Sequence, residues 1–166
     1  MSTSKFEISK ESGPHLKLLN LVGTWDGTTR TWFEKDVLAD ESVTSSKIIA
    51  LLNKRFIRYE YRGIINGKPH EGLMVWGYDL GNEKCVCSWI DSFHMGTGIM
   101  FSEGDETPNG FSVTGKYDNL EWPEPWGWRT ELEIVRPYQF ILRAFNISPD
   151  GEEVKAIETI NLRVEL

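Results

Sequence analysis

Sulfur and imidazole are scarce in this sequence, with only two cysteines and three histidines in 166 residues. Cys85 and Cys87 stand at i and i+2, where strand side chains run parallel and seldom reach disulfide geometry, so they are expected as free thiols. One Cys-x-Cys pair supplies two soft ligands at most, and His15, His70 and His94 lack zinc-type spacing. Neither a metal nor another cofactor is predicted. No apolar run approaches the roughly 18 residues that cross a bilayer, and the N-terminal MSTSKFEISKESG has no apolar signal segment. The expectation is a cytoplasmic chain without membrane insertion. Basic clusters are missing as well. With 25 acidic against 18 basic residues and a net charge of −7, a polyanion meets repulsion rather than counterion release, so nucleic acid is not an expected partner. Gly-x-Ser-x-Gly, P-loop, dinucleotide-binding and His-Glu-x-x-His patterns are all absent, which leaves no reaction class carried by a motif.

What the chain does contain is hydrophobic alternation cut by turns. Its length and 40% hydrophobic content suit one core, and 13–166 reads as a single domain behind a flexible tail over 1–12. Pro14 followed by Leu16, Leu18, Leu19 and Leu21 predicts one or two turns of helix. Turn signals at 66–69, 81–82, 108–110, 137 and 149–151 then divide the rest into strand-length segments: roughly 22–33, 42–52, 55–65, 70–79, 84–92, 97–104, 110–118, 126–136, 138–147 and 152–165. About ten antiparallel strands, each with one apolar face, hide that face and remove both edges by closing. An all-β, up-and-down barrel is therefore expected, and at that strand number it has room for a cavity.

The segment GTWDG carries Gly23, Trp25 and Gly27 at the start of the first strand and resembles the Gly-x-Trp signature of calycin-type barrels: lipocalins, fatty-acid-binding proteins, avidins and nitrobindins. The resemblance implies that Trp25 packs across a closed barrel end while Gly23 and Gly27 let other groups approach. A longer match, through GPHLKLLNLVGTWDG, GKPHEGLMVWGYD, SWIDSFHMGTGIM and AIETINLRVE, is similar to a family of small, mostly bacterial proteins catalogued as a domain of unknown function. That likeness implies the barrel and carries no activity with it. Two departures matter. The few residues between Phe33 and Ser42 leave no space for the helical lid of fatty-acid-binding proteins, and no histidine follows His94 to serve as a nitrobindin-type axial ligand, which disfavours haem.

Candidate site residues follow from which face each strand turns inward. Alternation over 153–165 places Glu158 with Val154, Ala156, Ile160 and Leu162, so an ionised carboxylate there needs an internal partner, a ligand, or an acid–base role. In 84–92, Cys85, Cys87, Trp89 and Asp91 share a face opposite Val86 and Ile90, and either face can be the inner one. If the first is inner, Asp91 lies at the barrel mouth with His94 on the next loop, a pairing suited to base and orienter. Tyr59, Tyr61, Arg129 and Trp128 complete the candidate lining, and LEWPEPWGWR reads either as an aromatic plug or as a portal. The leading expectation is a barrel that binds a small apolar or aromatic ligand without catalysis. The alternative is an enzyme using Glu158 or the Asp91/His94 pair, and a homo-oligomer is compatible with both.

Overall fold

The structure is a computed structural model that describes residues 4–164. Two short helices, α1 (Lys5–Ser12) and α2 (Pro14–Leu19), precede ten strands: β1 (Gly23–Glu34), β2 (Val37–Leu51), β3 (Phe56–Ile65), β4 (Lys68–Asp79), β5 (Lys84–Asp91), β6 (Met100–Thr107), β7 (Gly110–Tyr117), β8 (Trp126–Arg136), β9 (Gln139–Ile147) and β10 (Glu153–Arg163). Each strand pairs antiparallel with the next, and β1 pairs with β10 to close the barrel. The expected up-and-down barrel is the observed architecture. β1 and β2 are joined through Lys35 and Asp36 alone, the latter at φ 59°, so the first hairpin is tight and carries no inserted lid. Neither helix is long and apolar enough to cross a membrane.

The N-terminus departs from the expected single helix and flexible tail. Ser4 caps α1 by accepting the N–H of Glu7, half of the Ser-x-x-Glu pattern of a capping box. Phe6 packs edge-on against His15 of α2, with their ring centroids 4.9 Å apart, and Ser9 shares a buried hydrogen bond of 2.8 Å with His15 Nδ1. These contacts hold α1 against α2. The helix escapes a periodicity search because its apolar positions form no stripe, so tertiary contact supplies what amphipathicity does not.

The helices mark the closed end. Leu18 and Leu21 are buried there beneath Trp25, whose indole donates to Leu21 O at 2.9 Å and meets Phe140 edge-on at 4.7 Å. The Arg163 guanidinium lies 4.2 Å above the Trp25 ring and donates to Val22 O and Asn20 O, tying β10 to the helical plug. Gly23 adopts φ +150°, and a Cβ built on it would overlap this guanidinium. Gly27 lies beside Asn161, which is fully buried. Trp76, Phe111 and Ile48 are buried in the same core.

One irregularity reverses a strand's faces. Between Lys155 and Ile157 the β10–β9 register shifts by a bulge. Val154 and Ala156 face the barrel as alternation expects, but beyond the bulge Ile157, Thr159 and Asn161 turn inward while Glu158, Ile160 and Leu162 turn out. The inward placement of Glu158 is therefore corrected. It sits on the outer wall, accepting from Lys155 Nζ at 2.8 Å and Arg143 Nε at 3.2 Å. Those donors outweigh its partial desolvation and hold its carboxyl below the ordinary carboxylate range.

Candidate functional site

At the open end, β5 turns the face of Cys85, Cys87, Trp89 and Asp91 inward, which settles the choice that alternation left open. Asp91 is the last strand residue. The chain turns directly after it, so Asp91 Oδ1 accepts the backbone N–H groups of Phe93 and His94, both at 2.6 Å, in the manner of an Asx turn. The same turn brings His94 Nδ1 to 3.1 Å from Oδ1. From β3, Tyr61 donates its hydroxyl to Asp91 Oδ2, and its oxygen accepts Trp89 Nε1–H at 2.8 Å. Two strands and a loop thus converge on one carboxylate.

The electrostatics follow from this donor set. Burial alone would raise the Asp91 pKa, but hydrogen bonds from His94 and Tyr61, the His94 ring's charge interaction and the backbone donors hold it down at about 2. Burial first, and the Asp91 charge second, push the Tyr61 phenol well above its usual value. At neutral pH the carboxylate is ionised and the phenol keeps its proton. An ionised carboxylate only accepts, so His94 Nδ1 carries a proton toward Asp91, and in the neutral ring Nε2 holds the free lone pair. His70, on the inward face of β4, is lowered by burial against the partial opposition of Asp91.

Two spaces meet at this network. The inner one is a cavity of about 30 Å³, bounded by the threonines Thr29, Thr31, Thr44 and Thr159, by His70, and by aromatic and aliphatic side chains including Tyr59 and Met74. The outer one is a cleft of about 210 Å³ between Trp32, Phe33, Phe93, Met95 and Tyr117. Thr31, Trp89, His94 and Trp128 border both. Trp89 and Trp128 stack with centroids 5.2 Å apart, and Phe33 stacks on Phe93 at 6.0 Å across the cleft. Around the cavity, Thr31 Oγ1, His70 Nδ1 and Trp128 Nε1 are buried without a hydrogen-bond partner among the described residues.

Of the residues singled out from sequence, Asp91, His94, Trp89, Trp128, Tyr59 and Tyr61 come together around these spaces. Tyr59 is fully buried, and its phenol is pushed up to about 12 by burial. Arg129 does not join them. It points outward, paired with Glu131 and Glu153 and lying over the Phe145 ring at 4.3 Å, because its neighbours Trp128 and Thr130 take the inward parity of β8. Glu158 is excluded by the bulge. Trp122 lies edge-on at 5.6 Å to Tyr117, which lines the cleft, so LEWPEPWGWR lies at the open end. Sequence reasoning passed over His70 and the threonines. Parity with Trp25 marks Thr29 and Thr31, and parity with Met74 and Trp76 marks His70. Cys85 and Cys87 are buried beneath the site, and burial raises both thiols, Cys85 to about 12. Among the described residues no group of three or more His, Cys, Asp or Glu side chains is placed to hold a metal ion.

Comparison with known proteins adds to this geometry. The sequence profile of the family described as "Protein of unknown function (DUF1579)" matches residues 10–163. No curated protein matches the chain. Among solved structures, the S-type phycobiliprotein lyase of Guillardia theta is similar over 99% of both chains, with a TM-score of 0.60 and 13% identity, a likeness of fold alone. A redesigned β-barrel is similar over 90% of this chain and 96% of its own, at TM-score 0.46 and 17% identity.

Proposed function

The chain belongs to the DUF1579 family, and on that footing we propose that it binds a small, flat, largely apolar molecule in the cleft at the open end of its barrel. The observation that carries this reading is the shared wall: Trp89, Trp128, His94 and Thr31 border both the cleft and the inner cavity. Size decides where the ligand sits. Sites for drug-sized molecules measure about 300–1,000 Å³, so an interior of about 30 Å³ cannot house the body of a ligand, whereas the cleft of about 210 Å³ takes a smaller one. Stacked aromatic walls favour a planar body. The lyase with a similar barrel supports the reading only as an architecture that can carry a site.

Native mass spectrometry of the purified protein, followed by denaturing extraction, tests the proposal. A bound small molecule whose uptake quenches tryptophan fluorescence, and whose retention is lost in Trp89→Ala, is the expected result. Extraction of nothing, together with unchanged fluorescence across a panel of planar aromatics, overturns it.

The Asp91–His94 pair favours a second reading, proton transfer to or from a ligand in the cleft. Asp91 orients the ring and stabilises an imidazolium, the arrangement of a general base. Conversion of the extracted ligand, lost in both His94→Gln and Asp91→Asn, is its expected signature.

A further inference from the structure

We infer that the inner cavity is a subsite for one uncharged oxygen, so that the cleft's ligand is a planar aromatic bearing a hydroxyl or carbonyl group. This rests on the cleft-binding proposal and names the ligand class for that site.

The cavity is too small for a ring, and its largely apolar wall is interrupted by a few hydrogen-bonding groups. At about 30 Å³ it exceeds the roughly 10–15 Å³ that a single water needs, and its walls carry hydrogen-bonding groups. Thr29 Oγ1 lies 2.6 Å from Thr44 Oγ1 and 2.8 Å from Thr159 Oγ1. Three hydroxyls have three protons, and these two bonds use two of them. One proton therefore remains to be donated outside the triad, whichever way the chain of hydroxyls runs. Trp128 Nε1–H is a donor without a partner, Thr31 Oγ1 adds another hydroxyl, and His70 Nδ1 can donate or accept. All three of these residues are more than nine-tenths buried.

Buried polar groups left unpaired cost free energy that a ligand oxygen would recover. Trp128 Nε1–H can only donate and the triad has one proton to give, so a group that accepts meets them: a carbonyl, or a hydroxyl that accepts while donating to a threonine oxygen or to His70 Nδ1. A carboxylate would also accept, but it would enter a desolvated space bordered by the ionised Asp91, whose side chain is fully shielded from solvent. Arg129 and Arg143 offer no compensation, because both lie in ion pairs on the outer wall. The geometry thus selects against anions while favouring neutral oxygen.

Isothermal titration of the intact protein with naphthalene, 2-naphthol and 2-naphthoate distinguishes the possibilities. The expected result is 2-naphthol binding about tenfold or more tighter than naphthalene, the scale of one recovered hydrogen bond, with 2-naphthoate weakest. Thr31→Val removes a hydroxyl that has no partner among the described residues. It is expected to leave the unfolding midpoint no lower and to cut the ratio of naphthol to naphthalene affinity by about threefold or more. Equal binding of naphthalene and 2-naphthol, or tightest binding of 2-naphthoate, overturns the oxygen subsite and leaves the cleft proposal standing. Failure of all three probes to bind overturns the cleft proposal and the subsite with it.

Discussion

Gly72 of β4 faces Tyr61 of β3 across the sheet, and a Cβ built on Gly72 would overlap the phenolic oxygen and Cζ of Tyr61. The missing side chain is what lets the Tyr61 ring lie flat enough to reach both Asp91 and Trp89. Gly72→Ala is therefore expected to displace the phenol and uncouple the network from a position that makes no hydrogen bond of its own to it. The loss should be about 1–3 kcal/mol in urea unfolding, the range for overpacking, with a shift in tryptophan emission. An unchanged stability and spectrum would show that the ring has room to move without consequence.

Tyr61→Phe keeps the ring and removes the oxygen that links Trp89 to Asp91. It leaves a buried indole N–H without its acceptor and a carboxylate with one donor fewer. A destabilisation of about 1–3 kcal/mol is expected, together with an upward move of the Asp91 pKa, readable by carboxyl NMR titration.

Acid sensitivity follows from the Asp91 pKa of about 2, which lies below the ordinary aspartate value of 3.8. A carboxylate depressed in the folded state contributes its stability above the unfolded pKa and loses it as pH falls through the folded one. The difference in unfolding free energy between the parent and Asp91→Asn should thus be full at pH 5 and above and should shrink between about pH 4 and pH 2. A pH-independent difference would place the contribution of Asp91 in packing rather than charge.

Trp25→Ala removes the side chain that joins the helical plug to Phe140 and Arg163 at the closed end. A cost of about 3–5 kcal/mol is expected, as for other large core truncations. Because the site lies at the opposite end, probe affinity per folded molecule should be unaffected.

Glu158→Gln tests the consequence of the bulge. On the outer wall, in pairs with Lys155 and Arg143, its charge should contribute about 1 kcal/mol or less. Naphthol binding should not change. A weakened affinity without lost stability would return Glu158 to the site.

The barrel was legible in the sequence because its signals are local. Turn residues bound the strands, and alternation in β3 and β8 shows Tyr59, Tyr61 and Trp128 facing one way because adjacent side chains on a strand must point oppositely. Gly23-Thr24-Trp25 marked the closed end only through its resemblance to the Gly-x-Trp signature, since the group that comes close to Gly23 is Arg163 of β10, far along the chain. Three things needed the tertiary structure. A single-residue bulge in β10 leaves no compositional mark, yet it moves every later residue to the other face and takes Glu158 out of the barrel. The inner face of β5 was undetermined while both faces carried apolar residues, and only pairing with β4 and β6 chose the side bearing Asp91. The site itself joins Tyr61, Asp91 and Trp89 across β3 and β5, strands that are not adjacent but flank β4, so its assembly depends on Gly72 yielding space between them. Periodicity along one strand reports which way a side chain points, and closure of the sheet decides what it meets there.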